Sequence, residues 1–564
     1  MAVRRWMVLG LVLLGISLSL WGQEPPPNTG KLSWNLWTEA TAARSARAAG
    51  EEVQEATVLL YTTDPVTEEE LHRLEAEGYV VEGALGRLVL VRATLDLFVD
   101  DEHGIDRMEF ISSATLPLPS IAHEATNFPV RTDGTPVIQA PALWEQGFRG
   151  SGTKIAIIDL GYDLDNPVLR GLNPRYYLIV PGGVSVGTYR ALEGEVGAIA
   201  DHGTACALIV ADVAPEAELY LLSYPERTGW QGWLFALEFA VRELQVDVVC
   251  SAVSPATPTC HADGTGEIHS RIDEILRGTD SLLCVAAGNW AQGSGSDRWY
   301  YGGVFRDDDG NFYADFTPDS TDTEDRNTLA FRGRAGDQVL VILEWDDWAS
   351  DVKSYDLNLF VHHAGFWGNP RGQVGISLTT QFQGTTRPTE AIWMILPFTG
   401  SYVISIEDAA ARWHGQPVRP VSFNLYVYNV SGAFPYVEHH SSCGSLREVA
   451  TSANPQVIVV GAVSVDGLTI RPYSSRGPTA DGRAKPDVYC PDGVTGAVYP
   501  HFYGTSAAAP YAAGAVSLIR SANPTLSPAE VRELLQQNTV VMTDGCENPI
   551  CVLDLRLAIQ ALAE

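Results

Sequence analysis

The apolar positions of the chain follow two patterns, which divide it into an α/β part and an all-β part. Short continuous apolar runs predict strands buried on both faces, and longer runs apolar at helical spacing or all round predict packed helices. The strands are predicted at 153–159, 219–223, 246–251, 282–287, 456–463 and 488–490, and the helices at 140–147, 203–213, 232–244, 269–277, 511–521, 525–537 and 553–562. Strands alternating with helices predict a mainly parallel sheet covered on both faces.

Residues 297–434 interrupt this alternation. They are rich in Tyr, Trp, Thr and turn residues, and they predict strands at 337–345, 355–362, 391–396, 401–407 and 421–429. Several short strands without intervening helices are typical of a β-sandwich. We therefore expect an all-β domain inserted into an α/β domain, whose two parts are 135–296 and 435–564.

A separate α+β domain is predicted at 56–113. Its pattern gives strands at 56–61, 79–82, 87–92 and 107–112, with helices at 67–78 and 95–103. This β-α-β-β-α-β order forms a compact domain on its own. With 564 residues, the chain is long enough for several such modules.

The first 22 residues predict a secretion signal. Arg4 and Arg5 precede an apolar run at 6–20, which is short for a membrane span, and a Pro-rich stretch without basic residues follows it. An uncleaved anchor is the alternative. We expect a linker at 23–55, a connector with a processing region at 114–134, and a soluble mature protein outside the cell that does not bind membranes.

The formal net charge of −32 changes the expected partners. Nucleic acids and anionic membrane surfaces attract clustered Lys and Arg, so a strongly acidic chain disfavours both. The charge favours solubility and is compatible with bound cations.

Eight cysteines are present, and an exported protein can form disulfides. Cys546 and Cys551 are close together in a polar turn, and we expect them to pair. Pairs between Cys250 and Cys260 and between Cys443 and Cys490 remain open, because sequence does not fix connectivity. Cys206 and Cys284 have apolar neighbours and are expected to be buried thiols.

Candidate chemistry starts at Gly504–Pro510 (GTSAAAP), just before a helix that is apolar on nearly every face. Backbone N–H groups are unpaired at a helix start, and the helix dipole is positive there, so an oxyanion can be held beside Ser506 as a nucleophile. The alternative is that Ser506 only caps the helix.

Three other residues stand at element ends where they could complete such a site. Asp159 ends a buried strand, and His202 opens a predicted helix with Asp201 as its cap. Asn289 ends the run VAAGN at 285–289, and its amide could donate to an oxyanion. The carboxyl ends of parallel strands are where open α/β sheets build their sites. A turn aspartate, a structural histidine and a turn asparagine are the alternatives.

Taken together, these motifs resemble the subtilisin-like serine proteases (subtilases, peptidase family S8). The matching pieces occur in the order Asp, His, Asn, Ser: the strand of Asp159, then HGT at 202–204, AAGN at 286–289 and GTSAAAP at 504–510. Further matches are VAP at 213–215, VGA at 460–462 and YSSRGP at 473–478. The resemblance covers about 135–290 and 438–562 and implies a subtilisin-like three-layer α/β fold.

The resemblance implies a role for each residue. Ser506 is the nucleophile, His202 is the general base and acid, and Asp159 orients the imidazole. The side chain of Asn289 and the N–H of Ser506 bind the oxyanion. The expected intermediate is an acyl-enzyme, and no cofactor is required.

Two departures from the family pattern concern the substrate cleft. The strand end that lines the cleft reads Ser251, Ala252 and Val253, and Val253 replaces a glycine beside the specificity pocket. Asp201 precedes His202 where glycine is common. Both features leave the substrate preference open.

The two additional domains also have family counterparts. The segment 56–113 resembles a subtilase propeptide, with a plain accessory domain as the alternative. The insert resembles jelly-roll accessory domains, and its residues Asp346, Asp347 and Asp356 are candidates for a structural calcium site, as is the acidic run at 307–311. Solvated acidic loops are the alternative.

The sequence therefore predicts a secreted serine endopeptidase that acts on protein or peptide substrates and is first inhibited by its own propeptide. A catalytically silent subtilase-like scaffold, which binds protein or surface ligands, is the second hypothesis.

Overall fold

The computed structural model describes the larger part of the chain, and the statements below concern those residues. They are 47, 55–62, 67–85, 88–94, 105–110, 132–180, 183–186, 198–225, 228–253, 261–291, 298–316, 327–348, 353–364, 373–382, 387–429, 436–437, 441–467, 469–496, 498–537, 546, 550–556 and 558. The chain divides into two compact units, one of residues 1–114 with 180–183 and one of residues 115–179 with 184–564. The predicted signal segment, most of the predicted linker and connector, and the predicted helix at 95–103 lie outside the described residues.

The first unit contains one antiparallel sheet and one described helix. Its elements are β1 (Glu55–Thr62), α1 (Glu68–Ala76), β2 (Val80–Leu85), β3 (Leu88–Thr94) and β4 (Ile105–Phe110). The strand order is β2-β3-β1-β4. Alternation places Leu60, Val89 and Val91 in the core of this unit.

The second unit is built on a sheet of seven parallel strands. They are β5 (Lys154–Asp159), β6 (Arg175–Val180), β8 (Glu218–Ser223), β9 (Val248–Ser251), β10 (Leu282–Ala286), β20 (Val457–Ser464) and β21 (Val488–Asp492), and β7 (Gly183–Val186) extends the sheet beyond β6. The order is β21-β20-β10-β9-β5-β8-β6-β7. Neighbouring strands pair in parallel from β21 through to β6, as their continuous apolar sequences predict. The carboxyl ends of β5 and β10 therefore meet at one edge of the sheet.

Helices cover this sheet, and one of them is buried along most of its length. The helices are α2 (Ala140–Trp144), α3 (Pro167–Gly171), α4 (Ala198–Val213), α5 (Gly229–Glu238), which continues as a π-helix over Phe239–Glu243, α6 (Glu267–Leu276), α8 (Thr505–Ala522) and α9 (Pro528–Gln536). The apolar surface all round α8 packs against α4 and the sheet. Gly514 permits the closest approach, because a Cβ there would lie 2.6 Å from the Cβ of Val213 on α4.

The insert consists of two antiparallel sheets that enclose an apolar core. One sheet contains β11 (Arg298–Val304), β18 (Ser422–Asn429), β13 (Gln338–Trp345) and β16 (Thr389–Ile395) in that order. The other contains β15 (Gln373–Ser377), β14 (Leu357–His363), β17 (Gly400–Asp408), β12 (Leu329–Gly333) and β19 (Tyr436–Val437), and a short helix, α7 (Ala409–His414), follows β17. Residues from both sheets, including Phe331, Leu359 and Leu425, share one core. The predicted fold class, an α/β domain interrupted by an all-β domain, is confirmed.

Several local predictions need correction or lie outside the described residues. The helix α4 begins at Ala198, so Asp201 lies in its first turn and is not its cap. The capping box of α9 is present, with Ser527 and Glu530 satisfying each other's backbone N–H groups. The predicted helix at 553–562 lies largely outside the described residues. Among the described helices, none combines the length and apolarity needed to cross a bilayer.

The predicted disulfide between Cys546 and Cys551 is wrong. Cys546 is bonded to Cys443, with 5.5 Å between the two Cα atoms. Cys551 lies beside β21, where its carbonyl accepts the N–H of Tyr489 at 2.7 Å. The prediction relied on the short distance between the two cysteines along the chain. The hydrogen bond to Tyr489 instead holds Cys551 at the edge of the sheet, while Cys546 is bonded to Cys443. The other open pairs are not formed either, since Cys250 and Cys490 are buried thiols, as are Cys206 and Cys284.

A buried carboxyl group in the insert predicts a pH-dependent stability. Glu390 on β16 accepts hydrogen bonds from Thr379 N and Gln381 Nε2, both at 2.8 Å, and from the hydroxyl of Ser377. Burial nevertheless raises the pKa of Glu390 from 4.5 to about 8. The stability that the protonated group contributes is complete below its unfolded pKa and is lost as the pH rises through the folded pKa.

Replacing Glu390 by Gln removes this titration and keeps the size of the side chain. We expect the thermal midpoint of the parent to fall relative to Glu390→Gln between about pH 4.5 and pH 8, by an amount equivalent to a few kcal/mol at most. Thermal unfolding curves of the full chain at several pH values measure this difference. Parallel pH profiles for the two proteins would contradict the expectation.

Candidate active site

Asp159 and His202 form a buried hydrogen bond at the carboxyl edge of the sheet. Asp159 is the last residue of β5, and its Oδ2 lies 2.8 Å from Nδ1 of His202 on α4. The two side chains are 0% and 5% exposed. The other carboxyl oxygen of Asp159 accepts the N–H of Leu160 at 2.8 Å. An ionised carboxylate only accepts, so Nδ1 carries a proton, and Nε2 of a neutral imidazole is left as the acceptor.

A glycine allows α4 to approach the Asp159 loop closely enough for this bond. A Cβ on Gly203 would lie 2.2 Å from the carbonyl oxygen of Gly161. The next residue fixes the approach, since the hydroxyl of Thr204 donates to the carbonyl of Ala200 and accepts the N–H of Asp163. All three residues of the HGT motif therefore contribute, because Gly203 and Thr204 set the position of the helix that carries His202.

Ser506 lies in the first turn of α8 and is half-buried. Gly504, which precedes the helix, has a φ of +108°, a backbone conformation that favours glycine. The Ser506 hydroxyl donates to the carbonyl of Ala252 at 3.0 Å. Nε2 of His202 is buried without a hydrogen-bond partner. In this structure the hydroxyl is therefore turned toward β9, and the acceptor on His202 is unoccupied.

Cys206 connects the histidine and serine elements. Its thiol lies on α4 and donates to the carbonyl of Ser506, with 3.6 Å between sulfur and oxygen. That carbonyl has no helical partner, because the residue four positions later is Pro510. Burial raises the pKa of Cys206 well above its usual value, so the thiol stays protonated and keeps its donor.

Thr505 fixes the orientation of the Asn289 amide. Oδ1 of Asn289 accepts the backbone N–H of Thr505 at 3.0 Å and its hydroxyl at 3.1 Å. The same hydroxyl accepts the N–H of Gly288. The oxygen side of the amide is therefore held at the start of α8, and Nδ2 lies 3.1 Å from the position that a Cβ on Gly504 would occupy.

The sequence analysis did not identify Asp492, which anchors the turn before the serine. Its carboxylate accepts the N–H of Gly504 at 2.9 Å and is bound by Arg471 and by the Tyr473 hydroxyl. Asp492 is fully buried, and burial raises its pKa. One signal could have revealed it: like Asp159, it is an acid at the end of a continuously buried strand.

The three predicted cleft residues have different positions. Ser251 is 1% exposed, and its hydroxyl joins Trp233 Nε1 to the carbonyl of Val253. Ser251 is therefore a buried residue that stabilises the end of β9. Ala252 contacts Ser506 through its carbonyl, and Val253 is also buried.

The predicted calcium ligands do not come together. Asp347 accepts the N–H groups of Ser354 and Tyr355, and Asp356 accepts the N–H of Gln381. Among the residues that the structure describes, the carboxylates of Asp346, Asp347 and Asp356 do not form a cluster of ligand atoms within 4.8 Å of one another. Backbone N–H groups thus bind Oδ2 of Asp347 and Oδ1 of Asp356.

One described cluster does have metal-ligand spacing, and it is formed by Asp159, His202 and Cys206. The hydrogen bond between Asp159 and His202 and the contact from Cys206 to the Ser506 carbonyl already account for these atoms. We therefore assign the cluster to the serine site.

Comparison with known proteins gives results consistent with this geometry. Residues 435–551 match the model of the subtilase family, peptidase S8. The chain is 31% identical over 182 residues to an intracellular serine protease of Paenibacillus polymyxa, covering 29% of this chain and 49% of that one. It is 35% identical over 183 residues to subtilisin E of Bacillus subtilis, covering 30% and 42%. The chain thus spans less than half of the length of each relative.

A solved structure shows the same fold over most of the chain. The CspB protease of Clostridium perfringens superposes with a TM-score of 0.54 at 17% identity, covering 77% of this chain and 99% of that one. The parallel sheet with Asp, His and Ser at its edge defines a subtilisin-like α/β protein. Over the matched stretches, the chain is similar to the subtilase family.

The close approach at Gly203 predicts a selective loss of function. Gly203→Ala should push α4 away from Gly161 and displace His202, and a displacement of 1 Å can cost about 10²-fold in rate. Hydrolysis of a chromogenic peptide measures the loss. Gly171→Ala is the matched control, because a Cβ there meets nothing within 4 Å. Full activity of Gly203→Ala would contradict the proposed importance of this contact.

Proposed function

We propose that this protein is a serine endopeptidase that cleaves peptide bonds through Ser506, His202 and Asp159. The observation that carries the proposal is the buried Asp159–His202 hydrogen bond, which leaves Nε2 of His202 without a partner. One helical turn after His202, the thiol of Cys206 donates to the carbonyl of Ser506 and so links the two elements. A base oriented by a carboxylate beside a hydroxyl is the arrangement that nucleophilic serine catalysis requires. The relative from Paenibacillus polymyxa, which is named as an intracellular serine protease, supports the same activity.

In the proposed reaction, the Ser506 hydroxyl turns from the Ala252 carbonyl toward His202. Ser506 Oγ attacks the scissile carbonyl carbon while its proton passes to Nε2 of His202. Asp159 stabilises the imidazolium that forms. His202 then gives the proton to the leaving amine, and water hydrolyses the acyl-enzyme by the same steps.

The oxyanion of the tetrahedral intermediate would be bound by Nδ2 of Asn289 and the backbone N–H of Ser506. The Asn289 amide is preorganised, because Thr505 already holds its oxygen. The N–H of Ser506 belongs to the first turn of α8, where it has no partner within the helix. Donors fixed before the reaction stabilise developing charge without reorganisation.

We also propose that the protein cleaves proteins or peptides, that it is exported, and that it is activated from a precursor. The apolar run behind Arg4 and Arg5 supports export, and the disulfide between Cys443 and Cys546 suits an oxidising compartment. The first unit, with its four-stranded sheet and helix, has the size and element order expected of an inhibitory propeptide.

Replacing Ser506 provides the direct test. Ser506→Ala should abolish peptide hydrolysis and labelling by a fluorophosphonate, and the precursor should remain uncut when it is made without other proteases. Ser521→Ala is the matched control, because it removes a serine hydroxyl from the same helix outside the site. Labelling at another residue would reject the nucleophile. A correctly folded parent that is neither labelled nor active would favour the silent scaffold.

Replacing Asn289 tests the oxyanion assignment separately. Asn289→Ala should lower kcat by about 10²–10³-fold with little change in KM, because the lost donor acts on the transition state. Steady-state kinetics on a peptide substrate measure both constants. An unchanged kcat would contradict this role and would leave the Ser506 assignment intact.

A further inference from the structure

The insert enters the chain directly behind the candidate oxyanion residue. Asn289 is followed by Trp290, and the first strand of the insert, β11, begins at Arg298. We propose that the insert holds the Asn289 amide in its working position, and that Trp290 is the positioning residue through which it does so. This inference rests on the proposed function and assigns a role in that function to the β-sandwich.

The Trp290 side chain packs on the insert. It is 4% exposed and forms a cluster with Tyr300, Ile342, Tyr426 and Tyr428 from one face of the four-stranded sheet. The ring of Tyr426 meets it edge-on, with 5.2 Å between the centroids, and the ring of Tyr428 lies at 6.2 Å. Aromatic pairs at these separations contribute energy beyond their buried area. The aromatic surface of the insert therefore fixes the residue next to Asn289.

A buried charge cluster holds this aromatic surface against the α/β domain. The guanidinium of Arg447 lies 4.5 Å from the ring centroid of Tyr426 and 6.0 Å from that of Trp290. Arg447 binds Glu344 of the insert at 2.6 Å and its own neighbour Glu448 at 3.0 Å. All three charged side chains are nearly inaccessible to water. Loss of one partner would leave a buried charge uncompensated, so the cluster fixes the relative position of the two domains.

The α/β domain holds the backbone on both sides of Asn289. The N–H of Ser475 donates to the carbonyl of Gly288 at 2.9 Å, and the N–H of Trp290 donates to the hydroxyl of Ser475 at 3.0 Å. The Asn289 side chain is bound to Thr505. The peptide that follows Asn289 thus lies between a hydroxyl of the α/β domain and an indole anchored on the insert.

These contacts predict how loss of the Trp290 indole would affect catalysis. Without the indole, the loop after β10 keeps its bonds to Ser475 and Thr505 but loses the packing that restricts its motion. A displaced amide would still permit substrate binding and would stabilise the oxyanion less well. The loss should therefore appear in kcat while KM is largely retained.

The test uses the full chain with Trp290→Phe and Trp290→Ala. We expect kcat to fall by about 10-fold for Ala and by less for Phe, with KM within about twofold of the parent, since a small misplacement weakens one oxyanion donor. Kinetic constants are normalised to the folded fraction by near-UV circular dichroism. The matched control is Trp299→Phe, the same exchange at a buried tryptophan in the core of the insert, which should lower the thermal midpoint and leave kcat unchanged.

A double mutant separates positioning from general destabilisation. In an Asn289→Ala background the amide is already absent, so Trp290→Ala should cause almost no further loss in kcat. The inference would be overturned if the loss in kcat of the double mutant equalled the product of the two single-mutant losses. An unchanged kcat for both Trp290 variants would also overturn it. If Trp290→Ala does not fold, the same comparison with Trp290→Phe decides the question. Failure of the proposed function is distinguishable, because Ser506→Ala would then remain as active as the parent.

Discussion

The close packing of α4 against α8 over the sheet is the constraint on which the site depends. The helix α4 carries His202, and the helix α8 carries Ser506 in its first turn. Both helices have small residues at the positions where they contact each other. Gly514 leaves room for Val213, and Gly203 leaves room for Gly161. Interiors packed to crystal-like density transmit displacements. A side chain added at either glycine would therefore move a reacting group as well as weaken the core.

Polar residues around the site act mainly on backbone groups. Asp492 accepts from Gly504, Ser475 binds on both sides of Asn289, and Cys206 satisfies the Ser506 carbonyl. Each interaction satisfies a polar backbone group near the candidate site, and such groups are costly to bury unpaired. The side chains of the candidate site are thus positioned by a surrounding shell of residues that bind the backbone. The candidate site can therefore be listed as four residues, while its geometry depends on many more.

The sequence could predict the elements and the candidate site residues, but only some of the contacts that hold them in place. Continuous apolar runs located β5, β9, β10 and β20 to within two residues, because burial on both faces leaves a strong local signal. Asp159, His202, Asn289 and Ser506 could be proposed because each stands at the end or beginning of an element within a family motif. Trp290 gave no such signal, since its partners Tyr426 and Tyr428 are more than 130 positions away. The partner of Cys546 was missed for the same reason, because spatial neighbours far apart in sequence leave no local pattern.

The disulfide between Cys443 and Cys546 joins residues 103 positions apart and encloses Ser506 within a covalent ring. A single cut anywhere inside this ring would open a chain end without releasing a fragment. In denaturing gel electrophoresis, the two pieces would migrate as one molecule until a reducing agent broke the disulfide. Nicks near the site would thus remain invisible under oxidising conditions, and the two parts of the α/β domain would stay together at the high local concentration that favours their continued association.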